Sequence, residues 1–182
     1  MNNVNVRTAQ KPLRRQYVND PGSAMVLDRA RTTHPDPDDP FHSTVEPMPG
    51  CGISTPVGVQ QALGGPQDAP TPGDILCAAL AACADSTVRM VANILGVELE
   101  HLEVSVGAEI DVRGTMMVAR DVPVGFQAMR CQVDLRAKAG TSPALLGRLT
   151  SAAEQSCVVL QTLRQPRSEE RRVGKECRSR GS

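Results

Sequence analysis

The chain has 182 residues, enough for one domain of ordinary size with its own core. It is 40% apolar and 22% charged, has a formal net charge of zero, and holds two Phe, one Tyr and no Trp. That balance excludes an aromatic base-stacking platform and offers no basic patch, so nucleic acid is not an expected partner. The core has to be built from aliphatic side chains, Ala, Met and Cys. The opening MNNVNVRTAQKPLRRQ lacks an apolar h-region, and the longest apolar run is about ten residues against the ~20 of a membrane span. A cytoplasmic location with no membrane partner is the expectation, and thiols stay reduced there. Six cysteines without any CxxC spacing argue against zinc.

Residues 1–22 are polar, contain Pro12 and Pro21, and read as an irregular arm. Ala24–His34 has the composition of a strand with imperfect alternation. PDPDDP breaks it, and Phe41–Val45 reads as a short return strand. From Pro47 to Gly73 there are six Pro and six Gly in 27 residues, which no long regular element tolerates. A stretch of that length is expected to be a functional loop covering a site.

Thr71-Pro72-Gly73-Asp74 supplies a cap, a proline at the first helical position and an acid three residues after the cap. This predicts a helix from about Pro72 to Leu95 that stops at Gly96. Its first half contains ILCAALAACA, apolar on all sides, and is expected to be buried. Leu102, Val104, Val106, Ala108, Ile110 and Val112 then alternate with polar residues and predict a half-buried strand. Met129, Cys131, Val133, Leu135 and Ala137 predict a second, paired antiparallel to the first. Ser142-Pro143 opens a second helix, about Pro143 to Leu163, with a buried stripe of Leu146, Leu149, Ala153, Cys157, Leu160 and Leu163. Residues 167–180, RSEERRVGKECRSR, read as the in-frame translation of a common sequencing adapter. Residues 167–182, with Cys177, are therefore set aside as an artefactual tail. Residues 1–166 remain as a single domain whose natural C-terminus after Pro166 is expected to be missing.

Cys83 and Cys157 lie on the apolar faces of the two predicted helices. At this level two readings stay open. Both thiols are small core residues, or they meet as a peroxidatic and a resolving cysteine. Cys77 is six residues before Cys83, about 240° around a helix, so the two do not share a face. Cys77 and Cys131 read as core, and Cys51 falls in the Pro/Gly loop. By the same spacing, Arg89 is expected to pair away from Cys83. His34, His42 and His101 show no ligand spacing.

The stretch APTPGDILCAALAACADSTVRMVANILGVELEHLEVSV, followed by VPVGFQAMRCQVDLRA and LLGRLTSAAEQSCVVLQTL, resembles the OsmC/Ohr (osmotically inducible protein C / organic hydroperoxide resistance) family over roughly residues 70–164. The resemblance implies an α+β fold in which two central helices pack against antiparallel sheets of an intertwined homodimer. It implies reduction of small organic hydroperoxides. Cys83 attacks and becomes a sulfenic acid, Cys157 resolves it as a disulfide, and a dithiol or lipoyl-type reductant restores the pair. No metal, flavin or other cofactor is implied. The resemblance also implies an arginine from the N-terminal strands, oriented by an acid at the helix start. Asp74 is the available acid, one methylene shorter than the family's glutamate, and Arg29 and Arg31 are the candidate arginines. Val158 stands where proline is common in the peroxidatic members. The alternative is a redox-inactive OsmC-like domain that binds a small apolar ligand or acts as a dimeric scaffold.

Overall fold

The computed structural model describes residues 5–34 and 36–165. The adapter-like segment with Cys177, and Pro166 before it, lie outside the described residues. The N-terminal arm differs from expectation: Val6–Asn19 is a helix, α1. Asn5 caps it by accepting from the Thr8 N–H at 2.9 Å. Ala, Gln, Lys, Leu and Arg favour the helix around Pro12, which deletes only one intrahelical donor. No residue of α1 is buried. Two bonds hold its start to the end of the central helix: Val6 N–H to Asn93 Oδ1 at 2.8 Å, and Arg7 to the Ile94 carbonyl at 3.0 Å.

The expected strand at Ala24–His34 shrinks to β1, Arg31–Thr33. Met25, Val26 and Leu27 are exposed. β1 pairs antiparallel with β2 (Ser43–Glu46), and β2 with β3 (Thr55–Val57). His42 links this small sheet to the segment before the central helix, bonding Asp39 at 2.7 Å and Asp68 at 3.1 Å. The Pro/Gly stretch holds β3 and one short 3₁₀ turn, Gln61–Leu63, and no longer element. Gly65 is required there: a Cβ would collide with the backbone of Val59.

The central helix α2 runs from Pro72 to Leu95 and ends on Gly96 in the left-handed conformation, φ 72°. Its capping box is complete. Asp74 Oδ2 accepts from the Thr71 N–H and hydroxyl, both at 2.8 Å, and Thr71 Oγ1 accepts from the Asp74 N–H. Thr71→Ala should cost about 1 kcal/mol, the usual worth of an N-cap. The measurement is the urea midpoint at constant m-value; an unmoved midpoint would show that the cap holds nothing.

β4 (Leu99–Ile110) and β5 (Phe126–Ala137) form an antiparallel pair with Val104 opposite Val133 and Val106 opposite Cys131. β4 starts three residues and stops two residues earlier than the alternation suggests. Asp111 accepts from the Arg113 N–H and turns Val112–Thr115 into a short helix, α3. The second long helix is interrupted. α4 covers Pro143–Ser156, α5 covers Val158–Arg164, and Cys157 between them is extended, with ψ 104°.

α2 packs on β4, α4 and α5, forming two buried clusters. One is Leu80, Ala84 and Cys157, covered by Val104, Val106 and Met129. The other is Ala92, Val97 and Leu149. The first half of α2 is not buried all round as expected, since Ala78, Ala79 and Ala82 are exposed. A single chain supplies cover for one side of this helix only. By length and composition alone, α2 is apolar enough to cross a membrane. In this fold it is the shared helix of both core clusters.

Candidate active site

α2 delivers Cys83 and the α4–α5 break delivers Cys157, and their sulfurs stand 3.4 Å apart across 74 residues of chain. Cys157 is 1% exposed, whereas Cys83 is half-buried. The break is held at both ends. Gln161 donates from Nε2 to the Glu154 carbonyl at 2.9 Å, and Arg164 pairs with Glu154 at 2.7 Å. Breaking the helix leaves the first amides of α5 without intrahelical acceptors, and those of Val158 and Val159 act on the Cys83 sulfur.

The two thiols are driven apart in acidity. Burial pushes the Cys83 thiol up, but the Val159 amide, the Cys157 thiol and the Val158 amide outweigh it and hold the group below an ordinary thiol. Thr87 adds little at the sulfur, because its one hydroxyl proton goes to the Cys83 carbonyl at 2.7 Å. Burial pushes the Cys157 thiol up, the Leu160 amide opposes this, and proximity to Cys83 raises it further. Cys83 is therefore the more acidic thiol of the pair, and Cys157 is the donor of the S–H···S contact.

A lowered pKa keeps a thiol ionised further down the pH scale. Iodoacetamide should accordingly modify Cys83 with a pH midpoint below the ~8.5 of an ordinary thiol. Cys157→Ala, which removes a donor, should move that midpoint upward. Site-resolved alkylation rates against pH check this, and a wild-type midpoint at or above the ordinary value contradicts it.

The expected acid and arginine are not assembled around Cys83 in this chain. Asp74 is committed to Thr71, whose backbone and side-chain bonds hold its carboxyl below the usual range. Arg31 pairs with Glu46 at 2.5 Å on the small sheet, and Arg29 is exposed. That sheet has no extensive contact with α2, which is the physical reason its arginines stay away. Arg89 pairs with Asp85 on α2, as its position implied. The Val159 and Val158 amides are the backbone groups that lower the pKa of the Cys83 thiol. Among the described residues, no group of three or more His, Cys, Asp or Glu could hold a metal ion.

Cys131 is exposed, contrary to its expected core position. The helices stand off the middle of β5 and leave an apolar groove of about 550 Å³ between Leu80, Val88, Met129, Cys131, Ala153 and Cys157. Neither the groove nor the break was legible in the helical stripe. The one sequence signal for the break is position 158, where the resembling family favours proline. That position is the first residue of a new helix, where a proline is tolerated.

The sequence model described as OsmC-like protein matches residues 65–169. The chain belongs to the OsmC family. Solved structures of OsmC-family proteins agree. An OsmC-like protein from Mycoplasma pneumoniae superposes with a TM-score of 0.62 at 13% identity, covering 78% of this chain and 89% of that one. An organic hydroperoxide resistance protein OsmC from Legionella pneumophila gives 0.53 at 21% identity, over 78% and 92%. An organic hydroperoxide resistance protein from Elizabethkingia anophelis gives 0.51 at 19%, over 79% and 91%. At these identities the likeness concerns the fold: an α+β arrangement with small antiparallel sheets. No curated protein matches the chain significantly.

Proposed function

We propose that this OsmC-family chain is a thiol-dependent peroxidase that reduces organic hydroperoxides. The observation that carries the reading is the pair of sulfurs at 3.4 Å with opposite shifts in acidity. The Cys83 thiolate attacks the distal peroxide oxygen; the O–O bond breaks and the alkoxide leaves, taking a proton as the alcohol. Cys83 is then a sulfenic acid. Cys157 attacks it, the S–O bond breaks, and water leaves as the Cys83–Cys157 disulfide forms. An external dithiol returns the two electrons. Two of the structural neighbours are named organic hydroperoxide resistance proteins, which supports the substrate class.

The reading includes a reducing, cytoplasmic setting and a homodimer. The exposed Ala78, Ala79 and Ala82 face of α2 is the surface a second copy would cover. The groove of about 550 Å³ favours a second reading, a scaffold that binds an apolar ligand without turning it over. Steady-state consumption of cumene hydroperoxide with a dithiol separates the two. Turnover supports the peroxidase; inertness alongside saturable binding of an apolar ligand supports the scaffold.

A further inference from the structure

The groove beside the cysteine pair holds a third thiol. Cys131 sits opposite Val106 in the β4–β5 ladder, and Val106 packs on the Leu80–Ala84–Cys157 cluster. Cys131 and Cys157 line the same cavity. Their exposures are opposite: Cys157 is 1% exposed, while Cys131 is open to solvent. A reductant arriving from solvent therefore reaches Cys131 before it reaches Cys157. We propose that Cys131 is a third redox-active thiol, which takes over the disulfide from Cys83 and presents it at the surface as Cys131–Cys157. The peroxidase reading enters only as the way the first disulfide is made.

The exchange balances without any other reactant. Cys131 gives its proton to solvent and its thiolate attacks the Cys157 sulfur. The Cys131–Cys157 bond forms, the Cys157–Cys83 bond breaks, and the electron pair leaves on Cys83 as a thiolate. An external dithiol then reduces the exposed disulfide by attack at Cys131.

The direction of exchange follows from leaving-group quality. A thiol of lower pKa leaves faster, and the Val159 and Val158 amides keep Cys83 the most acidic of the three. Burial pushes Cys131 up, and Cys157 is raised as well. The exchange thus frees the sulfur best held as an anion and keeps the other two in the bond. Cys157 lines the groove that Cys131 lines, and it lies at an extended break between two helices. Since Cys131 must first ionise, the exchange accelerates in alkaline buffer.

The test uses the full chain, oxidised with one equivalent of cumene hydroperoxide or, in a parallel arm, with diamide. Diamide makes disulfides without a peroxide bond. Samples are quenched in acid at intervals, alkylated with N-ethylmaleimide and mapped by non-reducing peptide mass spectrometry. The expected record in both arms is Cys83–Cys157 first, converting to Cys131–Cys157 as the dominant species, while Cys83 regains reactivity as Cys131 loses it. Cys131→Ser should stop at Cys83–Cys157, and Cys83→Ser should form Cys131–Cys157 directly with diamide. Conversion in the diamide arm, with no disulfide in the hydroperoxide arm, upholds the exchange and rejects the peroxidase. A Cys83–Cys157 disulfide that persists while Cys131 stays fully alkylatable overturns the exchange. No disulfide with either oxidant sinks both.

Discussion

Replacing Cys83 with Ser should abolish hydroperoxide turnover, a loss of about 10³-fold or more, as when any covalent nucleophile is removed. The reason is electronic. A serine hydroxyl at this position does not ionise near neutral pH, so the amides of Val158 and Val159 would have no anion to hold. Cys157→Ser should behave differently. The sulfur that attacks is still present, so the first equivalent of hydroperoxide is consumed and the sulfenic acid accumulates on Cys83, where dimedone captures it. The two variants therefore separate attack from resolution, in a stopped-flow record of peroxide loss read beside the mass of the protein. Wild type, Cys83→Ser and Cys157→Ser that are equally active, or equally inert, would end the peroxidase reading. Loss in Cys157→Ser of the first equivalent as well would show that Cys157 sets the reactivity of Cys83 and does more than resolve it.

The largest effect on stability should come from Leu149→Ala. Leu149 is 0% exposed and joins α4 to α2 in the cluster with Ala92 and Val97. Truncation leaves a cavity between two long helices, each braced by β4–β5 or by the other. The expected cost is about 2–5 kcal/mol, against the 5–15 kcal/mol by which domains are usually stable. Urea denaturation measures it, and a shift worth less than about 1 kcal/mol would mean that the helices close over the void. Leu149 lies two turns before Cys157 on α4, so the folded fraction should alkylate at Cys83 at the wild-type rate. Leu80→Ala would not give so clean a result, because Leu80 touches Cys157 in the other cluster.

The elements with strong local signals were legible in the sequence. Thr71 to Asp74 and Gly96 marked both ends of α2, and strict alternation marked β4 and β5. The two apolar stripes left open whether Cys83 and Cys157 meet as a pair or only fill the core, and likeness to the family pointed to the pair. What failed was set by tertiary context. Pro12 argued against a helix, yet the Asn5 cap and the bonds to Asn93 and Ile94 support one. Cys131 obeyed its alternation and lines the groove under the helices, but they leave it exposed, and alternation reports direction without reporting cover. The break at Cys157 conflicts with a stripe that runs through it unbroken. An apolar residue fits a helix interior and a helix junction equally well, so period alone could not find the junction. The expected arginine was inferred from likeness to the family, and the sheet that carries Arg29 and Arg31 has no extensive contact with α2.

The junction between α4 and α5 has a mechanical side. Sulfurs at 3.4 Å must draw in to about 2.05 Å when they bond, so the two side chains and the segments that carry them have to close by more than an ångström. A continuous helix would resist that, since its hydrogen-bond ladder fixes the backbone torsions that aim each side chain. An extended residue between two helices absorbs it by rotating. In the proposed cycle that bond keeps Cys83 from ionising and weakens it as an acceptor for the first amides of α5. Oxidation thus unfastens the start of α5 while pulling on it. Release of Cys83 from that bond refastens it, so this short helix would loosen and tighten once in every proposed cycle.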